Sequence, residues 1–426
     1  MDIHRCRFIP YPASSINALA FSHNTRPGQK TPHALRLALG RANGDIEIWN
    51  PAKGIWSQET VFHGGKNRSV EGLVWTQDLD EEAESNPTPG RLRLFSIGYS
   101  NAITEWDLAT GMPLRHSSGS HAEVWSIAAQ PRWRKEDGPA NRSEQLLALG
   151  CADGSIVLQS TADEELTHVR VLRRSSNKKA RVLSLIFCDR NTIAAGCSDG
   201  TIWIYDIRGK GKVKTTMHLG AGPSKNSTYV WVLKYLSDKV LVSGDSTGEL
   251  KFWDLKTYTI TQRLLCHDAD ILTLSANADG NQFYSGGMDR KVCMVVKDKI
   301  TQRWREIYHQ KVHSGHVKAM ATIESKDLSV VVSGGIDAAP VLLPLKSSGR
   351  ENIRALPGLP QSPPLITAAE DRLLVSWWDR EVVFCELNRQ LLQSISMSKS
   401  TTDTDSMLQR ILVQVGTHNV FAIQKC

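Results

Sequence analysis

Residues 194 to 206, AAGCSDGTIWIYD, place small and apolar residues on both sides of a Ser-Asp-Gly turn, with Ile202, Trp203, Ile204 and Tyr205 apolar or aromatic in succession. A half-buried strand alternates apolar with polar positions, so a strand that is apolar on both faces must be covered on both. The stretch therefore predicts a hairpin whose second strand is enclosed by a layer on each side. The pattern recurs as RLALGRANGDIEIWN at 36, LRLFSIGYSNAITEWD at 92, LLALGCADGSIVLQS at 146, VLVSGDSTGELKFWD at 240, QFYSGGMDRKVCMVV at 282 and VVVSGGIDAAPVLLP at 330. These make seven copies in all, with a glycine after the first strand of each at 40, 98, 150, 196, 244, 286 and 334. The long early intervals contain the insertions DLDEEAESNPTPG at 78 to 90 and RWRKEDGPANRSE at 132 to 144.

Each unit supplies four strands, as in VWVLKYL, VLVSGDS, ELKFWDL and TITQRLLC between 230 and 266. Units of this length built from strand pairs are the signature of WD40 propeller blades, in which each sheet is sheltered by its neighbours. The expected fold is all-β: a seven-bladed WD40 propeller over residues 1–346. The seventh unit shows only three strands before the Pro-, Gly- and Ser-rich segment 347–364. Residues 4 to 10, HRCRFIP, precede the first unit and are assigned the missing outer strand, which would close the ring and remove an exposed edge. Residues 365–426 hold a further unit beginning LLVSWWDREVVFCEL at 373, too little to bury its own faces. Either it starts a second propeller in a longer protein, the favoured expectation, or it flanks the first ring.

Several copies carry a His ahead of the first strand and an Asp in the central turn: His121 with Asp153, His267 with Asp289, and His316 with Asp337, with Ser285 and Ser333 as matching hydroxyls. Such buried groups are tolerable when they bond one another. They are expected to be structural rather than catalytic. GDSTG at 244 to 248 matches the nucleophile-elbow pattern around Ser246 but joins two strands, whereas that motif needs a strand-to-helix turn. The eight cysteines show no CxxC and no cluster, which suggests buried small hydrophobes in a reducing compartment. No apolar run approaches eighteen residues, and the charged N-terminus MDIHRCRF is not a secretory signal. The chain is expected to be soluble, intracellular and non-enzymatic, with no cofactor, metal, membrane or small-molecule substrate.

Lys and Arg number 51 against 44 Asp and Glu, a net charge of +7, and the excess is clustered. RVLRRSSNKKAR at 170 to 181 has six positive charges and no acid, RGKGKVK at 208 to 214 has four, and RWRK at 132 to 135 has three around Trp133. In a propeller, loops entering a first strand open on one face. Loops joining first to second or third to fourth strands open on the other. Arg173, Arg174, Lys178, Lys179 and Arg181, with Lys225, are thus expected on one face, and Arg132, Arg134, Lys135, Lys210, Lys212 and Lys214 on the opposite one. Clusters of this kind suit salt-sensitive, sequence-independent contact with a phosphate backbone. The sequence shows no aromatic platform of the RNP type.

MDIHRCRF at the start, INALAFSH at 16, GDIEIWNP at 44, GGKNRSVEGLVW at 64, LFSIGYSNAITEWDLATG at 94 and GSHAEVWSIAAQP at 119 closely resemble the N-terminal region of cirhin and its fungal counterparts. The resemblance covers residues 1 to about 131 and rests on the repeat pattern beyond. It implies a longer protein with two propellers: a WD-repeat subunit of the UTP-A (t-UTP) subcomplex of the small-subunit processome. It further implies a non-catalytic scaffold of the nucleus and nucleolus. Such a scaffold would join other UTP-A subunits and engage the 5′ external transcribed spacer of pre-rRNA. The alternative is a general WD40 protein-interaction platform that makes no direct contact with RNA.

Overall fold

The computed structural model describes residues 14–24, 27–51, 56–64, 68–80, 89–119, 121–134, 137–138, 142–162, 165–173, 179–220, 228–345, 353–356, 365–369, 373–377 and 382–386. The chain divides into two compact units, one of which is Ser14–Leu356. That unit holds seven four-stranded antiparallel sheets, each pairing its strands in chain order. They are blades one to seven, spanning residues 16–62, 72–118, 124–172, 182–218, 230–265, 271–311 and 317–355. The second unit contributes a three-stranded antiparallel meander of Leu365–Ala369, Leu373–Trp377 and Val382–Glu386.

The apolar run that opened the sequence analysis is buried on both faces. Ile202 and Ile204 pack with Leu241 and Trp253 of blade five, while Trp203 and Tyr205 pack with Leu158 and Leu172 of blade three. Seven buried clusters of this kind join every blade to the next. The last links Ile16, Leu37, Leu39 and Trp49 of blade one to Ala321, Val332 and Leu342 of blade seven, with Leu356, so the ring is closed by packing. Outermost strands alternate instead, as in Thr259–Leu265, because one face meets solvent. The repeated glycine has a common cause: a Cβ on Gly150 or Gly196 would lie 2.5 Å from the Val182 or Val230 methyl that opens the following blade.

Two placements differ from the sequence expectation. The strand paired with Val341–Pro344 is Arg354–Ala355, through Val341↔Ala355 and Leu342↔Arg354. The outer position assigned to residues 4 to 10 is therefore taken from the Pro-, Gly- and Ser-rich segment, anchored by buried Leu356. Two residues facing solvent need no apolar alternation, so the pattern left them silent. Residues 4 to 10 themselves lie outside the described residues.

The second difference concerns histidine. In blade six, His267 Nδ1 lies 3.0 Å from Asp289 and its Nε2 2.8 Å from the Ser285 hydroxyl. In blade seven the same places are filled by His313, 2.8 Å from both Asp337 and Ser333, not by His316. Both working histidines stand four residues before the residue that opens the first strand, Ile271 or Val317, and that spacing sets the reach to the turn. His121 stands three before Val124 and does not meet Asp153; its Nδ1 faces the Ala122 carbonyl, while Asp153 accepts from the Ser155 hydroxyl at 2.7 Å. Fully buried Leu149 occupies the position of Ser285 in that blade, so no hydroxyl is available to complete the chain.

Burial works to raise the Asp289 carboxyl, but the bond and charge of His267 and the amides of Lys291 and Asp268 outweigh it and hold the group below the usual carboxylate range. A depressed folded pKa contributes stability above the unfolded value that is lost as pH falls through the folded one. Asp289→Asn is expected to cost about 1.5–3 kcal/mol near neutrality. In denaturant titrations at successive pH values, the gap from wild type should narrow below about pH 4.

Candidate nucleic-acid interface

The two basic faces differ in how far their charges are already committed. On the face of the loops joining first to second and third to fourth strands, the Arg132 guanidinium lies 2.6 Å from Asp80 and 3.0 Å from the Asp78 carbonyl. Arg208 binds Asp206 at 2.6 Å, and Lys214 lies 3.8 Å from the same carboxylate and 3.3 Å from Thr192. Side-chain bonds from Arg208 hold the Asp206 carboxyl well below its ordinary value. Lys210 and Lys212 are exposed, as is Arg134, whose backbone amide bonds Asp137. Lys135 lies outside the described residues. Acids from the blade-two insertion and from the end of a third strand thus engage Arg132, Arg208 and Lys214 on this face.

The opposite face keeps its cations. Arg173, Lys179 and Arg181 are exposed, while Arg174, Lys178 and Lys225 lie outside the described residues. Arg173 stands near Asp153, whose carboxyl is raised by burial but lowered further by Ser155 and, to a lesser degree, by Arg173. The Arg181 backbone is pinned on both sides, its amide donating to the Ser198 hydroxyl and its carbonyl accepting from the Ser198 amide, each at 3.0 Å.

Aromatic side chains meet these cations. The Arg181 guanidinium sits 4.7 Å from the centre of the Trp125 ring. Tyr99 meets Trp125 edge-on at 5.5 Å and is 59% exposed. Burial and the neighbouring Glu71 carboxylate push the Tyr99 hydroxyl up, so it stays protonated. In blade five, Tyr229 meets Trp231 edge-on at 5.6 Å, and the Trp231 indole N–H donates to Asp270 at 2.6 Å. Both tryptophans are bulge residues: pairing jumps from Val124 to Ser126 and from Val230 to Val232, which leaves Trp125 and Trp231 without a strand partner. A bulge re-aims its side chain, here at the ends of the first strands that open on this face.

Residues 167–206 and 258–294 match the family described as WD domain, G-beta repeat. The chain is 38% identical over 386 residues to U3 small nucleolar RNA-associated protein 4 of Schizosaccharomyces pombe, covering 90% of this chain and 51% of that protein. The protein of the same name in Saccharomyces cerevisiae is 38% identical over 395 residues, 90% of this chain and 48% of its own length. Over nine tenths of its length the chain is thus similar to proteins named U3 small nucleolar RNA-associated protein 4. The human homologue is 28% identical over 353 residues, 80% of this chain and 45% of that protein. The family likeness thus extends well beyond residue 131, although the chain spans about half the length of the curated relatives it matches.

On this face the sequence singled out cations and missed the aromatic residues beside them. Trp125 and Trp231 each follow the valine that opens a first strand, which is the signal that could have marked them. Ser246 is a turn residue whose hydroxyl accepts from the Tyr229 amide at 3.0 Å. Among the described residues, Cys151, Cys197, Cys266 and Cys293 are buried cysteines outside any disulfide, and burial pushes Cys266 up to about 12, far from a reactive thiolate.

Proposed function

We propose that this chain is the N-terminal part of a non-catalytic WD-repeat scaffold of the small-subunit processome, acting in pre-rRNA processing in the nucleolus. The observation that carries the proposal is 38% identity over 90% of the chain to two proteins named for association with U3 small nucleolar RNA. Within that role, the chain joins other UTP-A subunits and contacts the 5′ external transcribed spacer. Residues 365–426 begin a second propeller, in keeping with relatives about twice as long. The face bearing Arg173, Lys179 and Arg181 supports backbone contact best, because its described cations are exposed beside aromatic side chains, whereas Arg132 and Arg208 opposite are held by Asp80 and Asp206.

Crosslinking with mass spectrometry on the purified assembly, RNA present, tests the scaffold and the RNA contact together. RNA-linked peptides should include 179–183 rather than 208–214. Replacing Arg173, Lys179 and Arg181 together by Glu should weaken binding of spacer RNA and flatten its log–log salt dependence by about 2 units. Partner recovery should be unchanged. Unchanged RNA crosslinks in the triple variant would exclude this face and favour a platform for proteins alone.

A further inference from the structure

Three residues far apart in the chain converge beside the basic loop. Tyr99 comes from the central turn of blade two, Trp125 from the first strand of blade three, and Arg181 from the entry to blade four. A cation laid over an indole is an ordinary way to cover a tryptophan. Two features go beyond cover. Tyr99 is more than half exposed although it is stacked on one edge, and the Trp125 indole N–H is buried without a hydrogen-bond partner. Buried indole donors are usually satisfied, so an orphan beneath an exposed arginine marks a place where an acceptor is missing. Blade five repeats the aromatic pair in Tyr229 and Trp231, with Tyr229 40% exposed, so the loop carrying Arg181 is flanked by aromatic pairs on either side.

We infer that this face holds an unpaired segment of RNA, with one base stacked on the guanidinium plane of Arg181 and bordered by Tyr99. The inference rests on the RNA-contacting function proposed above and adds to it the mode of contact. An arginine braced by an indole presents a flat, preorganised cationic plane, which suits a nucleobase better than it suits an aliphatic side chain. Exposed Lys179 and Arg173 lie on the same loop to meet the adjoining phosphates. The surface is expected to favour purines over pyrimidines through stacking, without reading base edges.

The test uses the full chain with fluorescent dodecamers of adenylate and of uridylate, and a dodecamer of abasic ribose phosphate. Arg181→Lys keeps the charge and removes the plane. It should weaken adenylate binding about tenfold, uridylate binding less and abasic binding hardly at all, with the salt slope unchanged. Tyr99→Leu, at a position 59% exposed, should weaken adenylate in the same order, with an unchanged unfolding midpoint checking that the fold is kept. Lys179→Glu should instead weaken all three and reduce the slope. If Arg181→Lys binds adenylate as wild type does while Lys179→Glu still weakens every oligomer, the stacking assignment is wrong and the RNA contact stands. If no oligomer binds the wild-type chain, or Lys179→Glu together with Arg173→Glu changes nothing, RNA contact at this face fails and the aromatic residues belong to a protein partner.

Discussion

Phe252→Ala is expected to lower the stability of the chain by about 3–5 kcal/mol, the range for emptying a buried aromatic site. Phe252 is fully buried at the boundary of blades five and six, stacked on Trp304 with ring centres 5.1 Å apart and tilted against Phe283 at 5.9 Å. Its loss uncovers the inner faces of two sheets at once. Neither blade has another source of cover there, so the destabilisation should spread around the ring rather than stay local. Denaturant unfolding followed by tryptophan fluorescence should show a lower midpoint with the first unit still melting in one step, and Phe252→Leu should recover part of the loss. A midpoint shift worth less than about 1 kcal/mol would mean that the boundary can collapse around the gap.

Glu105→Ala should cost a comparable amount for a different reason. Glu105 is fully buried and receives both Nε and Nη2 of Arg93, at 2.7 and 2.9 Å, while Arg115 approaches at 3.1 Å. Arg93 is itself 6% exposed and donates to the Thr161 carbonyl of blade three at 2.6 Å. Burial opposes the Arg93 charge, but the bonds and charge of Glu105 more than offset it and hold the guanidinium above its usual pKa. Removing the carboxylate leaves a buried cation whose remaining carboxylate within ion-pair reach is Asp78, at 3.7 Å and without the bidentate bonds, a change worth about 3–5 kcal/mol. Replacing both partners, Arg93→Met with Glu105→Leu, should restore much of the stability, because the pair's attraction mainly repays its own desolvation. A double variant no better than Glu105→Ala would show that the bond to Thr161 is the part that matters.

The repeat, its turns and the double-sided burial of its third strands were legible because they are written locally. The glycine that recurs at the end of each blade's second strand could be found by counting, although the methyl of Val182 or Val230 that requires it lies in the next blade. Histidine spacing was legible in principle. His267 and His313 share a four-residue offset that His121 and His316 lack, and residue type alone does not show it. The charge of the basic clusters was evident, but not its fate. Arg208 finds Asp206 two residues away, whereas Arg132 finds Asp80 across an insertion belonging to another blade. The outer strand Arg354–Ala355 escaped notice because two solvent-facing pairs leave no hydrophobic signature.

The sequence by itself determined the number of blades, the order of strands within each and the face on which each loop opens, because β-pairing between neighbours in the chain depends on turn residues and alternation over a few positions. Only the tertiary structure decided which cations remain unpaired and which aromatic side chains stand beside them. Tyr99, Trp125 and Arg181 come from three different blades, and nothing in their local sequence shows that closing the ring brings their side chains together. Contacts across blades are fixed by the packing of whole sheets, which no short stretch of the chain encodes alone.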